Sequence, residues 1–294
     1  MITNLEDLLK KVKTNKKKKI AVVAAGDREI LELVNNAIDM QLGSFILIGD
    51  QEIIEKNIEK NLNIEIINEP DERKASLKGV ELIKTYEAEA IMKGLLHTST
   101  FLRAILNKEH GLNKGRLISQ ISVYDKEYGE GLQLLTDCAM AINPNLGEKK
   151  QIIENAIELA IKLGYDRPKV AILSALEIVN ENISDTMDAA ILSKMGDRGQ
   201  IKNAIIDGPF ALDNAISPEA AGYKGIQGEV AGKADILIVP NLQVGNVLTK
   251  ALTYFARKDV AAAVMGADKP IIMTSRTDSL KNKLLSIALA SYLS

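Results

Sequence analysis

Residues 148–173, EKKQIIENAIELAIKLGYDRPKVAIL, hold a helix and a strand in tandem. Over Glu148–Leu163 the apolar residues Ile152, Ile153, Ala156, Ile157, Ala160 and Leu163 recur at the spacing of one helix face. Gly164 then stands where a C-terminal cap belongs. Val170–Leu173 is a short unbroken apolar run of strand type. The same alternation covers almost the whole chain. Strands are predicted at Ile20–Ala24, Phe45–Ile48, Ile64–Ile67, Ala90–Met92, Leu117–Val123, Ala204–Ile206, Ile236–Val239, Ala261–Met265 and Ile271–Met273. Strands without polar alternation, separated by helices, indicate mostly parallel sheets covered on both faces. The predicted class is α/β.

One segment breaks the rhythm. Tyr124–Pro144 carries Gly129, Gly131, Asn143 and Pro144, and reads as a boundary or an excursion from the sheet. No period of roughly 20–50 residues repeats. With 294 residues, the chain has room for one large domain or two ordinary ones. Two α/β lobes are expected, the first from residues 1–123 joined by the C-terminal segment 267–294, the second from residues 124–266.

Composition narrows the class of function. Lys and Arg number 37 against 39 Asp and Glu, a net charge of −2, which argues against a general nucleic-acid binder or a basic membrane-surface protein. Apolar residues make up 46% and aromatic residues 4%, so the core is expected to be aliphatic. A chain of this size buries roughly 75% of its extended surface and needs no disulfide or metal to hold it. Cys138 is the single cysteine, so no intramolecular disulfide forms, which fits a reducing compartment.

The N-terminus does not follow the export pattern, because Lys10, Lys11, Lys13 and Lys16–Lys19 come after a polar segment and before Ile20–Ala24. No apolar run approaches the ~18 residues that span a bilayer. The expectation is a soluble, cytoplasmic protein with no membrane or nucleic-acid partner. The lysine run reads as a solvated helix end and linker, with an electrostatic lure for anionic substrates as the alternative.

In open α/β sheets ligands bind beyond the carboxyl ends of the strands. Ala25-Gly26-Asp27-Arg28 follows the first strand, and Lys93-Gly94 with His97-Thr98-Ser99 follows Met92. Asp207-Gly208-Pro209 follows Ile206, and Pro240-Asn241 with Gly245-Asn246 follows Val239. Gly266-Ala267-Asp268-Lys269-Pro270 and Thr274-Ser275-Arg276 follow the last two strands. Glycines let backbone N–H groups approach an anion, helix starts add partial positive charge, and Arg offers a bidentate fork. This composition suits phosphate groups, although Gly and Asn at such turns also serve geometry alone.

Other chemistries find little support. No GxGxxG follows the first strand and no GxxxxGK[ST] is present. His97 and His110 are the two histidines, with no paired Cys or His ligands for zinc. His110 reads as a solvated turn residue and His97 as a structural one. Cys138, among small apolar residues, reads as a buried hydrophobe rather than a nucleophile.

The C-terminal third carries the runs Ile206–Ile216, Ala231–Leu242, Gly245-Asn-Val-Leu-Thr-Lys250, Gly266-Ala-Asp-Lys-Pro270 and Thr274-Ser-Arg-Thr-Asp-Ser279. Together with Met92-Lys-Gly94, Thr98, Arg103, Asp137-Cys-Ala139, Asn143-Pro144 and Val170–Ser174, these resemble the phosphate acetyl/butyryltransferase family over nearly the whole chain. The Ser-Arg-x-Asp-Ser form is similar to the butyryl branch. The resemblance implies two α/β lobes facing a cleft, similar in architecture to the isocitrate and isopropylmalate dehydrogenases.

It also implies reversible transfer of a short acyl group, butyryl foremost, from acyl-CoA to phosphate by direct attack in a ternary complex. Coenzyme A thioester and phosphate are then substrates, with no cofactor or metal required. Such an enzyme serves short-chain fatty acid (butanoate) metabolism, and the family forms homodimers or larger assemblies.

Several residues inherit roles by that resemblance. Arg276 is the expected electrostatic catalyst and Ser275 a donor to the oxyanion or phosphate. Asp278 is either a base or a cap for the helix beginning around Ser279. Asn282 falls where acetyl enzymes carry an acidic residue. Lys93, Thr98 and Arg103 resemble an anion-binding stretch, and Asn241, Gly245, Asn246, Lys250, Gly266 and Lys269 complete the expected substrate contacts. Phosphate acetyltransferase, a non-catalytic CoA-binding relative and an NAD-dependent hydroxyacid dehydrogenase stay open as alternatives. The last would need clustered aspartates, whereas Asp207 and Asp235 are scattered.

Overall fold

A computed structural model describes residues 1–58, 64–113 and 115–294. In chain order the elements are α1 (Leu5–Thr14), β1 (Lys19–Val23), α2 (Arg28–Asp39), β2 (Ser44–Gly49), α3 (Gln51–Asn57), β3 (Glu65–Asn68), α4 (Glu72–Lys84), β4 (Ala90–Lys93) and α5 (Thr98–Ile105). There follow β5 (Ser119–Asp125), β6 (Leu132–Thr136), α6 (Leu146–Lys162), β7 (Lys169–Leu173), α7 (Ser184–Asp197), β8 (Ile205–Phe210), α8 (Leu212–Ile216), α9 (Pro218–Tyr223), β9 (Ile236–Ile238) and α10 (Leu242–Tyr254). The chain closes with β10 (Ala261–Met265), β11 (Ile271–Ile272) and α11 (Leu280–Leu293). It divides into two compact units. Glu6–Arg116 with Ala261–Ser294 makes one unit, outer in sequence, and Met1–Leu5 with Leu117–Val260 the other, central in sequence.

In the outer unit the strand order is β3-β2-β1-β4-β11-β10. All neighbours are parallel except β11 and β10. Ile20, Val22, Ile46, Leu47 and Ile91 are fully buried, as expected for strands covered on both faces. Register sets the functional edge. Val23 pairs with Lys93, and Ile272 with Met92. The residues that follow β1, β4 and β11 therefore leave the sheet side by side at one carboxyl edge. Helix α11 buries Leu284, Leu285, Ile287, Ala288 and Leu289 and packs on β10. It is pinned there by Ser286, whose hydroxyl accepts the Ala262 N–H at 2.9 Å.

The central unit has the strand order β5-β6-β9-β7-β8. Asn145 and Glu148 open α6 with a reciprocal capping box, and Gly164 follows its end at φ +99°. Two expectations are corrected here. The break at Tyr124–Pro144 contains a strand, β6, buried along its length and antiparallel to β5. Gly129 and Gly131, at φ +80° and +106°, lie in the connection. The segment did not read as a strand because Gln133 and Thr136 interrupt the apolar run. Both are satisfied by distant carbonyls, Gln133 donating to Ala234 at 2.8 Å and Thr136 to Gln120 at 3.0 Å. The second correction concerns Asp207-Gly208-Pro209, which lies inside β8 rather than beyond it. As the terminal strand in this order, β8 tolerates a proline that lacks an N–H.

Among the described residues no helix is long and apolar enough to cross a membrane.

Candidate active site

The shared carboxyl edge of β1, β4 and β11 carries the densest set of expected residues. Lys93 ends β4. After it, Gly94 donates to the Val23 carbonyl at 2.8 Å and Leu95 to Ala24 at 3.1 Å. A Cβ on Gly94 would overlap both of those carbonyl oxygens, so this position admits glycine alone. The close approach leaves the half-buried Lys93 at the rim, its Nζ 3.3 Å from the Gly94 carbonyl.

Beyond β11 the chain turns tightly. The Asp278 carboxylate accepts the Ser275 N–H at 2.7 Å, and the Asp278 N–H donates back to the Ser275 carbonyl at 3.2 Å. The Ser275 and Thr277 hydroxyls lie 3.0 Å apart. Ser279, not Asp278, caps α11, accepting the Asn282 N–H at 3.2 Å. This resolves one expectation: the helix cap is Ser279, and Asp278 closes the turn that presents Ser275 and Arg276. Asn282 occupies the first turn of α11 and is buried.

These loops enclose a cavity of about 230 Å³ lined by Asp27, Glu29, Ile30, Lys93, Gly94, Leu95, Thr274, Ser275, Arg276 and Lys283. That is smaller than the roughly 300–1,000 Å³ of pockets that hold a drug-sized ligand, and suits a phosphate-sized group. Its charges are unequal. Asp27 is committed as the N-cap of α2, accepting from Glu29 and Ile30 N–H at 3.1 and 3.2 Å. Glu29 lies 3.8 Å from Lys283. Among the described residues no carboxylate pairs with the Arg276 guanidinium or the Lys93 ammonium. Burial holds the Lys93 ammonium below the usual lysine range, and the Arg276 charge adds to that effect against the opposing pull of Glu72. The cavity is a positively biased, partly desolvated pocket with hydroxyl donors, the chemistry that anions require.

Lys93, Ser275 and Arg276 thus come together in one lining, while Asp278, outside it, bonds the Ser275 backbone. Lys283 was missed, although four residues past the Ser279 cap places it on the same helix face. Thr98 and Arg103, at the start and end of α5, are exposed and outside this lining. His97 precedes α5 and offers no side-chain cap. Gly266, at φ +98°, and Lys269 lie in the turn from β10 to β11.

The remaining expected residues stand on α10 of the central unit. Asn241 caps that helix, accepting the Val244 N–H at 3.0 Å. Gly245 packs so closely that a Cβ would overlap the Asp137 carbonyl oxygen. Asn246 reaches the Cys138 carbonyl at 3.5 Å, and Lys250 is exposed. The partner loop is held by Asp137, whose buried carboxylate accepts N–H groups of Gln120, Ala139, Met140 and Ala141 at 2.8–3.2 Å. Burial nevertheless raises the proton affinity of Asp137 overall. Cys138 is buried, donates to the Leu135 carbonyl at 3.2 Å, and has its thiol pushed up to about 11 by desolvation. The apolar side of α10, with Val244, Val247, Leu248 and Ala251, borders a groove of about 630 Å³ with Leu173, Ser174 and Leu212.

Comparison with known proteins shows the family of the chain. A family model described as "Phosphate acetyl/butaryl transferase" matches residues 53–291. A phosphate butyryltransferase of Clostridium acetobutylicum is 45% identical over 99% of this chain and 98% of its own. A phosphate acetyltransferase of Thermotoga maritima is 41% identical over 94% of this chain and 95% of its own. The crystal structure of a branched-chain phosphotransacylase from Enterococcus faecalis V583 superposes with a TM-score of 0.86, at 33% identity, over 94% of this chain and 98% of that one. With the Ser275-Arg276 turn, the Lys93 rim and a match running through nearly the whole sequence, the chain belongs to the phosphate acetyl/butyryl transferase family.

Proposed function

We propose that this protein transfers a short acyl group, butyryl foremost, reversibly between coenzyme A and inorganic phosphate, giving acyl phosphate and free CoA. The observation that carries the reading is the pocket that gathers Arg276, Ser275 and Lys93 at one sheet edge. A phosphate oxygen attacks the thioester carbonyl, so negative charge gathers on the carbonyl oxygen beside an already anionic nucleophile. Preorganised donors and cations are the main requirement. Arg276 forks onto phosphate, and Ser275 donates to the oxyanion or to a phosphate oxygen. Thr98, Arg103, Gly266, Lys269, Asn241, Asn246 and Lys250 are assigned to substrate binding. Gly245 serves by letting α10 approach the Asp137 loop.

Transfer is direct, within a ternary complex, because among the described residues no activated nucleophile is in place: the Cys138 thiol is buried and hard to ionise. The protein acts in the cytoplasm as a homo-oligomer, with acyl-CoA and phosphate as partners and no further cofactor. The test is thiol release from acetyl- to hexanoyl-CoA, with and without phosphate. Phosphate-dependent release with the highest kcat/KM for butyryl-CoA is expected. Equal or better kcat/KM for acetyl-CoA overturns the butyryl assignment, and no phosphate-dependent release with any chain length overturns the transferase reading.

A further inference from the structure

We propose that Lys93 is the proton carrier of the transfer, giving a proton to the departing CoA sulfur and recovering one from phosphate. This rests on the transferase reading and assigns the acid–base group that the asparagine at position 282 leaves open.

The balance of the reaction demands such a group. A C–O bond forms between the carbonyl carbon and phosphate while the C–S bond breaks, its electron pair leaving on sulfur. Monohydrogen phosphate enters as a dianion carrying one proton, and the acyl phosphate leaves as a dianion without it. The product thiol, with a pKa of about 8.5, takes up one proton. One proton therefore passes from phosphate to sulfur in the forward direction and back in reverse. A single ammonium can do both halves: it protonates sulfur, becomes an amine, and takes the phosphate proton.

Within the pocket the other candidates are occupied or unsuited. Asp27 is held by two backbone N–H groups of α2. Glu29 is exposed and faces Lys283 at 3.8 Å, and the Lys283 ammonium also donates to the Arg276 carbonyl at 3.5 Å, so those two groups engage it. Asp278 is bound to Ser275 and stands outside the lining. Arg276 does not deprotonate in proteins, and the hydroxyls of Thr274 and Ser275 bind protons too tightly. Lys93 lines the same cavity as Ser275 and Arg276, and its ammonium donates to the Gly94 carbonyl at 3.3 Å. The charged groups that share its cavity are Arg276 after β11, Lys283 on α11, and Asp27 and Glu29 at the start of α2; of the charged groups around it, Arg276 and, in the opposite direction, Glu72 on α4 shift its titration. Burial and Arg276 together move it toward neutrality, and a proton carrier works best when its pKa lies near the working pH.

The experiment compares wild type, Lys93→Arg and Lys93→Gln, with a thermal melt on each. kcat and KM are measured in both directions from neutral to alkaline pH. Arginine keeps the charge and cannot give up its proton. Acid–base catalysis contributes about 10²–10⁴-fold. Lys93→Arg is therefore expected to lose at least ~10²-fold in kcat while its KM for phosphate stays near wild type, whereas Lys93→Gln loses both. The wild-type forward kcat should fall at alkaline pH as the ammonium is lost, and that limb should vanish in Lys93→Arg. Small primary amines should restore part of the Lys93→Gln rate.

A Lys93→Arg enzyme within threefold of wild-type kcat, with the same alkaline limb, overturns the assignment and leaves Lys93 a fixed charge. If Lys93→Gln does not fold, the Lys93→Arg comparison decides alone. A wild-type protein with no phosphate-dependent thiol release defeats the transferase reading and this assignment together, an outcome distinct from an active wild type beside an equally active Lys93→Arg.

Discussion

The carboxylate of Asp278 accepts the backbone N–H of Ser275 at 2.7 Å, closing the turn between β11 and α11. The return bond from Asp278 N–H to the Ser275 carbonyl makes the closure reciprocal. Ser275 and Arg276 are thereby presented at the pocket by a residue whose own carboxylate is already engaged. On this geometry we propose that Asp278 is a positioning residue.

That relationship predicts unequal effects of two substitutions. Asp278→Asn keeps an amide oxygen to accept the Ser275 N–H, and should retain kcat within about tenfold, since one net hydrogen bond is worth about 0.5–1.5 kcal/mol. Asp278→Ala should lose more. Neither should displace the pH profile. An Asp278→Asn enzyme that loses an acidic limb would show that Asp278 titrates in the reaction.

Arg276 is expected to carry the largest electrostatic share. Removing one donor from a developing oxyanion costs about 2.7–4 kcal/mol, or about 10²–10³ in rate. Arg276→Gln should approach that loss with its melting temperature unchanged. Arg276→Lys should recover only part, because a point charge does not fork onto phosphate. Steady-state kcat and both KM values settle it; retention of wild-type kcat/KM within threefold by a folded Arg276→Gln removes Arg276 from the mechanism.

Cys138→Ala should keep most of the activity, because the thiol is buried, bonded to the Leu135 carbonyl and raised to about 11. A modest drop in Tm is expected from the lost buried sulfur. Parallel initial-rate patterns together with a trapped acyl group on Cys138 in intact-mass spectra contradict direct transfer.

Gly245→Ala tests the packing of α10. The added methyl would overlap the Asp137 carbonyl oxygen, and overpacking of this kind costs typically about 1–3 kcal/mol. A urea midpoint shifted downward with an unchanged slope is the expected result. An unshifted midpoint means that α10 accommodates the methyl without cost.

Much of the architecture was legible because buried strands announce themselves locally. Ile20–Ala24 and Ala261–Met265 are apolar runs whatever they pair with, and the helix over Glu148–Leu163 carries its own period and its own terminal Gly164. The Ser275-Arg276 motif was equally legible. What the sequence left dark depended on partners far along the chain. Strand β6 hides behind Gln133 and Thr136, whose polar groups are paid for by the Ala234 and Gln120 carbonyls. Asp278 and Ser279 are both good capping residues, so propensity alone did not choose between them. Burial of Leu284, Leu285 and Ala288 fixes where α11 begins, which makes Ser279 the cap and frees Asp278 to close the turn. The sequence by itself determined the α/β class, the aliphatic core and the residue types suited to anions. Only the tertiary structure brought Lys93 beside Arg276, because parallel pairing of β4 with β11 sets both strand ends at one edge, and proximity there is what turns separate cations into a site.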